Sequence, residues 1–473
     1  MRASVVVLLS ILLSGIAPAA ANADVRLLDA VLKGDQRAVR ELLRNRADVN
    51  TAQPDGSTAL MLAIERNLVE IADLLIRAHA NVNAANEYGA TALFVASANG
   101  NIALIRSLLD GKADLNAPLL SGETPLMTAV DNGYLDAVKV LLEHGADVNG
   151  REARGGQTAL MWAAANKSPA IVRLLIERGA DVRARSNGGF TALLFAAQQG
   201  NVESGGFLFQ AGADVNERSD KDRKTALIVA TASGSEEFSM LLLEKGADPN
   251  LADERGFTAL HYAALDRDGA GMVRALLMHG ARPNPRTTRD SREYVYAGVN
   301  LTGATPLFLA ASLGHVETVR ALVTAGADPF LTTEKGTAPI HVASWGGSPY
   351  FRDWTEGEKK NLFDMTKLLV ELGADVNSTG EHGWTALHGA AYKGVDAVVQ
   401  FLVDRGARTD VFDEYGQTPL SIANAVITVG SKDAYYQSSR VVRKSTSDLL
   451  LKLGATPLSE SGVQILDLFY KPQ

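Results

Sequence analysis

At 473 residues the chain exceeds the size at which one hydrophobic core stops growing, so a single compact core is excluded and several domains or a repeat array is expected. Its 46% hydrophobic and 21% charged residues are ordinary globular usage, and a formal net charge of -8 argues against a surface built for phosphate contacts, so no nucleic-acid partner is expected. There is no cysteine, which excludes disulfides, a lipid-modified cysteine and thiolate metal motifs.

In chain order, residues 1–23 read as a cleaved signal peptide. Arg2 is the basic start, residues 5–16 are apolar apart from Ser10, Ser14 and Gly15, and Ala21-Asn22-Ala23 offers small residues at both positions a signal peptidase reads. Cleavage after Ala23 is expected, with Ala19-Ala20-Ala21 as the alternative. A membrane anchor would need roughly 18 to 20 apolar residues, more than this run supplies, and no later segment approaches that length. The expected mature chain is a periplasmic or secreted monomer without a membrane span, from residue 24 onward.

From there the sequence repeats itself. A T-A-L or T-P-L tripeptide begins at Thr58, Thr91, Thr124, Thr158, Thr191, Thr225, Thr258, Thr305, Thr385 and Thr418, with Ala338 at the equivalent position of one more copy. Successive spacings are 33, 33, 34, 33, 34, 33, 47, 33, 47 and 33 residues. A glycine stands two residues before each anchor, Arg223 being the exception, and G-A-D or a variant follows 21 residues later at Gly145, Gly179, Gly212, Gly246, Gly326 and Gly406. The early glycine suits a tight turn, and the Thr hydroxyl can cap a first helix that tolerates proline at its start. Ala163-Ala164 keeps that helix slim, while Ile171, Val172, Leu174 and Leu175 give a second helix an apolar stripe that ends at Gly179. Such a unit buries its apolar face only against a neighbour, so the copies must stack.

These residues closely resemble the ankyrin repeat, best at Thr258-Ala259-Leu260-His261-Tyr262-Ala263-Ala264 and at Thr385-Ala386-Leu387-His388-Gly389-Ala390-Ala391. The resemblance implies an all-α solenoid with β-turn fingers over residues 24–458: about eleven repeats, an N-terminal partial repeat near Leu27, and a tail at 459–473. Arg46, His79 and Lys112 hold the helix-ending place that later repeats give to glycine, so the N-terminal repeats are expected to be the less stable end. Three insertions break the period near residues 286–302, 346–361 and 430–440, the last two between the helices of their repeats. They are read as surface loops, either functional or neutral.

No catalytic constellation emerges. No histidine pair has H-E-x-x-H spacing, the Gly-Gly pairs lack a phosphate-loop context, and there is no G-x-S-x-G elbow. The expectation is a non-enzyme without catalytic, cofactor or metal site. His261, His341 and His388 fall where the family's histidine supports the turn.

The family resemblance places ligands on the concave side, lined by finger tips and first-helix ends. Its candidate partner-binding residues are Tyr88, Phe190, Phe257, Trp345, Trp384, Tyr392, Lys393 and Tyr415, with the aromatic, loop-decorated second half favoured. Trp162, on a helix body, reads as packing between repeats. The function implied is an exported protein-binding scaffold. The alternatives are an assembly factor for an exported enzyme, or a cell-wall polysaccharide binder whose tryptophans stack on sugar rings.

Overall fold

A computed structural model describes residues 23–289, 300–345, 355–425 and 442–459. The expected signal segment, the tips of the three insertions and most of the tail lie outside the described residues. Contacts divide the chain into two units, residues 1–187 and 188–473.

The first unit holds five helix pairs: α1 (Ala23–Leu32) with α2 (Gln36–Arg44), α3 (Ala59–Glu65) with α4 (Val69–Arg77), α5 (Ala92–Asn99) with α6 (Ile102–Asp110), α7 (Pro125–Asp131) with α8 (Leu135–Glu143), and α9 (Ala159–Ala165) with α10 (Pro169–Glu177). The second begins with α11 (Ala192–Gln199) and α12 (Val202–Gln210), α13 (Ala226–Ala232) and α14 (Glu236–Glu244), α15 (Ala259–Leu265) and α16 (Ala270–Met278), and α17 (Pro306–Leu313) and α18 (Val316–Thr324). It continues with α19 (Pro339–Trp345) and α20 (Glu356–Glu371), α21 (Ala386–Lys393) and α22 (Asp396–Asp404), and α23 (Pro419–Ala423) and α24 (Lys444–Lys452). The N-terminal partial repeat is thus a complete helix pair. Within each unit, odd-numbered inner helices pack in one row and even-numbered outer helices in another.

The anchors do what their chemistry dictates. Thr58, Thr124 and Thr225 each accept a bond from the backbone N–H three residues on, at 3.3, 3.3 and 3.2 Å. Where the anchor is Ala338 there is no hydroxyl, and its N–H donates instead to His341 Nδ1 at 2.9 Å. His261 and His388 accept from the Thr258 and Thr385 N–H groups at 3.1 Å through Nδ1. Their Nε2 atoms reach the carbonyls of Ala304 and Gln417, one repeat further on, at 3.4 and 3.2 Å. Each buried ring is therefore neutral with its proton on Nε2, and burial lowers the pKa of both to about 4. The turn-supporting reading of these histidines stands on this geometry.

Among the described residues no extended strand forms. The fingers close through single antiparallel bridges such as Ala52 with Thr58 and Ala252 with Thr258. Successive fingers are joined by backbone bonds such as those from Glu87 N to Asp55 O (2.8 Å), Leu120 N to Tyr88 O (3.0 Å) and Glu414 N to His382 O (2.9 Å). A second tape runs through asparagines: Asn116 Oδ1 accepts from Asp147 N at 2.9 Å, and Asn149 Oδ1 from Asp181 N at 2.8 Å. In the second unit Asn216 and Asn250 accept likewise from Asp248 and Arg282, both at 2.8 Å.

Two sequence expectations meet the backbone directly. Arg46, His79 and Lys112 all adopt positive φ, at 61°, 64° and 67°, in the left-handed conformation that glycine takes elsewhere. The insertion expected as a loop at 346–361 is shorter than that, because residues 356–361 belong to α20, which runs 16 residues where the other outer helices have nine. The cause is a capping box: Thr355 Oγ1 accepts from Glu358 N at 3.2 Å, and Glu358 Oε2 accepts from Thr355 N at 2.9 Å.

Candidate partner-binding face

The fingers and the C-terminal ends of the inner helices carry side chains that the repeat pattern leaves open to solvent. In the first unit two adjacent tips are apolar and open. Tyr88 is 59% exposed and Leu120 is 79% exposed, and the bond from Leu120 N to Tyr88 O fixes one beside the other. A hydrogen bond with Glu87 is the main cause of a raised Tyr88 phenol pKa. Leu120 escaped the sequence reading, which singled out aromatic tips.

Three carboxylates of the same unit influence one another. Glu123 is the last finger residue before Thr124, Asp131 ends α7, and Glu152 belongs to the next finger. Burial raises the Glu123 pKa most, and the charges of Asp131 and Glu152 raise it further. Glu152 is buried but well satisfied, accepting from the backbone N–H groups of Arg154, Gly155 and Gln157 at 2.6, 2.7 and 2.9 Å. Asp131 takes a bond from Asn166 Nδ2 at 2.8 Å.

In the second unit the aromatic tips behave differently from the sequence expectation. Phe257 is 0% exposed and Trp384 only 7%, so neither offers a face to a partner. Each stands immediately before a helix-capping Thr, and its ring turns inward against the inner helix. Trp384 Nε1 donates to Asp413 Oδ2 at 3.0 Å, and its ring lies 5.8 Å from Tyr392. Asp413 also accepts from the Tyr415 and Gln417 N–H groups at 2.9 and 2.7 Å, and burial raises its pKa. Around Phe257 the same lock recurs, with Tyr262 Oη donating to Asp253 Oδ2 at 2.8 Å. These aromatics rivet fingers to helices.

The other candidates are half-buried. Phe190 packs against Phe195 with ring centroids 5.5 Å apart. Tyr415 Oη lies 3.1 Å from His382 Nδ1, and Lys393 Nζ sits 5.5 Å from the centre of the Tyr392 ring. Burial, then the Arg443 charge, lowers the Lys393 pKa to about 8. The side chain of Trp345 and all of Trp354 lie outside the described residues. Among the described residues no group of His, Asp and Glu side chains is placed to hold a metal ion, and no helix is long and apolar enough to cross a membrane.

Comparison with known proteins accords with this architecture. The family model described as "Ankyrin repeats (3 copies)" matches five overlapping stretches spanning residues 27–287 and a sixth at 357–430, and that of the single ankyrin repeat matches residues 302–334. Ankyrin repeat and SOCS box protein 3 of Bos taurus is 32% identical over 137 residues, 28% of this chain and 23% of that protein. Cyclin-dependent kinase 4 inhibitor B of Rattus norvegicus is 34% identical over 118 residues, 25% of this chain and 79% of that protein. The chain spans about a quarter of the length of the first curated relatives it matches. The crystal structure of the ankyrin repeat domain of Bcl-3 shares 31% identity, covering 43% of this chain and 93% of that one, with a TM-score of 0.41.

Proposed function

This chain belongs to the ankyrin-repeat family, and from that premise we propose that it is an exported, non-catalytic scaffold that holds a protein partner on its finger tips and inner-helix ends. The observation that carries the reading is the Tyr88 and Leu120 pair: two large side chains on neighbouring fingers, more than half exposed, with no part in the core. Clustered aromatic and aliphatic side chains on a rigid frame are what a binding hot spot requires. The relatives' names, a kinase inhibitor and a SOCS box protein, favour a protein over a small molecule as the bound species. Phe190, Tyr392, Lys393 and Tyr415 remain as contacts in the second unit, whereas Trp384 is buried and offers no ring for a sugar to stack on.

Replacing Tyr88 and Leu120 together by serine should abolish capture of the partner while leaving the helical circular-dichroism spectrum unchanged. Undiminished capture by the double variant would sink the proposed face. Export is supported by Arg2, the apolar run and Ala21-Asn22-Ala23. Protein recovered from the exported fraction should begin at Asp24, and an intact Met1 there would contradict cleavage.

A further inference from the structure

The outer helices α12 and α14 of the second unit break a rule that the other outer helices keep. Six residues before the helix-ending position the others carry a charged or amide side chain, as at Lys139, Arg173, Arg274 and Arg320. In α12 and α14 that place falls to Gly206 and Met240. Gly206 is the second of two adjacent glycines inside α12, where glycine weakens a helix. Gly205 has an internal reason, since an added methyl would meet the buried Phe238 ring at 2.7 Å. Gly206 has none, because a methyl there would meet no atom within 4 Å.

Beside it runs a groove of about 470 Å3 between the two helices. Val202, Met240 and Leu241 line it as half-buried apolar side chains, and the exposed Glu236, Glu237 and Glu244 complete the lining. A helical side chain leans toward the N-terminus of its helix, so an arginine at position 206 would lie toward Val202 and cover the groove. On α14, residues 237, 240, 241 and 244 follow at i, i+3, i+4 and i+7, so one stripe reads acid, apolar, apolar, acid. The two acids of that stripe stand about 10 Å apart along the helix. Among the described residues no lysine, arginine or histidine forms an ion pair with Glu236, Glu237 or Glu244.

We propose that this groove is a second docking surface, and that its occupant is a basic helical segment of a protein partner. Aliphatic side chains of that segment lie on Met240 and Leu241 in the space that Gly206 leaves open. A lysine or arginine on either side of them reaches Glu237 and Glu244. An apolar centre between charged ends is the usual anatomy of a protein interface, and the charges choose the partner. Acidic segments are repelled there, and a second copy of this chain, with a net charge of -8, is disfavoured on the same ground. The surface belongs to the outer helices, so it stands or falls independently of the finger tips.

Fluorescence anisotropy of labelled peptides titrated with the full chain tests this. The probe is a short peptide with Lys at i and i+7 and Leu at i+3 and i+4, all other positions being alanine or glutamine. Saturable binding is expected, at least tenfold weaker when the leucines are replaced by alanine and absent when the lysines are replaced by glutamate. G206R and M240K restore the kind of side chain that other outer helices carry, so they should keep the helical circular-dichroism spectrum and weaken binding at least tenfold. E237Q/E244Q should weaken it similarly. D136N/E143Q removes the acids at the matching places of α8, where Lys139 fills the gap, and should change nothing. Equal binding of the alanine peptide, or an equal loss in D136N/E143Q, would mean attraction to an acidic surface alone and overturn the proposal. So would the absence of saturable binding, or self-association of the chain in sedimentation that M240K abolishes. The peptide comparisons need no variant, so they decide even if one folds poorly. Serine at positions 88 and 120 should leave the peptide titration unchanged, which separates failure of this surface from failure of the finger face.

Discussion

Acid should open the second unit selectively. His261 and His388 are buried and neutral, with pKa values lowered from 6.5 to about 4 by burial. Above about pH 7 neither the folded nor the unfolded chain protonates them, and their contribution to stability is fully present. Below pH 6.5 the unfolded chain takes up protons that the folded chain refuses, so stability falls with pH until the folded rings titrate near 4. At pH 5 this costs about 2 kcal/mol per ring, or about 4 kcal/mol for both, which is about a thousandfold in any opening that exposes the two. His341 is lowered in the same direction by burial and adds to the effect, whereas the raised Asp413 carboxyl is relieved by protonation and opposes it. Hydrogen exchange followed by mass spectrometry at pH 7.5 and 5.0, corrected for intrinsic rates, should show peptides of residues 259–425 losing protection and those of 59–187 keeping it. Methionine stands at the equivalent position of three other repeats, Met61, Met127 and Met161, so H261M/H388M retains a side chain the fold accepts while removing the titration. Equal acid sensitivity in the variant and the parent, or equal opening of both units, would refute the reasoning.

Other predictions follow from single contacts. Arg46→Gly, His79→Gly and Lys112→Gly should each raise the stability of the first unit by about 0.5 to 1 kcal/mol, read as a shift of its urea midpoint, because each residue now sits at positive φ. Conversely Gly145→Ala should cost about 1 kcal/mol through backbone strain alone, since an added methyl there meets no atom within 4 Å. Asp413→Ala strands the buried Trp384 indole and two finger N–H groups, and should destabilise the last repeats by about 2 to 4 kcal/mol in thermal unfolding. Thr355→Ala with Glu358→Ala should fray the extra turns of α20, seen as faster exchange of residues 356–361 with the rest of the helix unchanged.

Much of the fold was legible because its determinants are local. Thr caps, positive-φ glycines and the Thr–His pair each act within four residues, so the repeat spacing alone located the eleven anchored helix pairs, and only the unanchored first pair was read as partial. Even the irregular Arg46, His79 and Lys112 could be read, since position in the repeat dictates their backbone. The inward turn of Phe257 and Trp384 was not legible. A residue just before a cap can face either way, and the direction is set by Asp253 and Asp413, which offer a buried acceptor to the neighbouring Tyr262 or to Trp384 itself. The first two turns of α20 did have a signal, the Thr355–Glu358 box, hidden by treating the insertion as one loop. The mutual influence of Glu123, Asp131 and Glu152 was missed because they lie 8 and 21 residues apart, and only reading the repeats as columns brings them together.

The central claim is that the finger side of the repeats carries the partner. Photo-crosslinking amino acids placed singly at Tyr88 and Leu120, and at Lys139 and Arg173 on the outer helices, test it most directly. Crosslinks to one partner from positions 88 and 120, with none from 139 and 173, are the predicted result. Crosslinks confined to the outer helices, or of equal yield from all four positions, would contradict it.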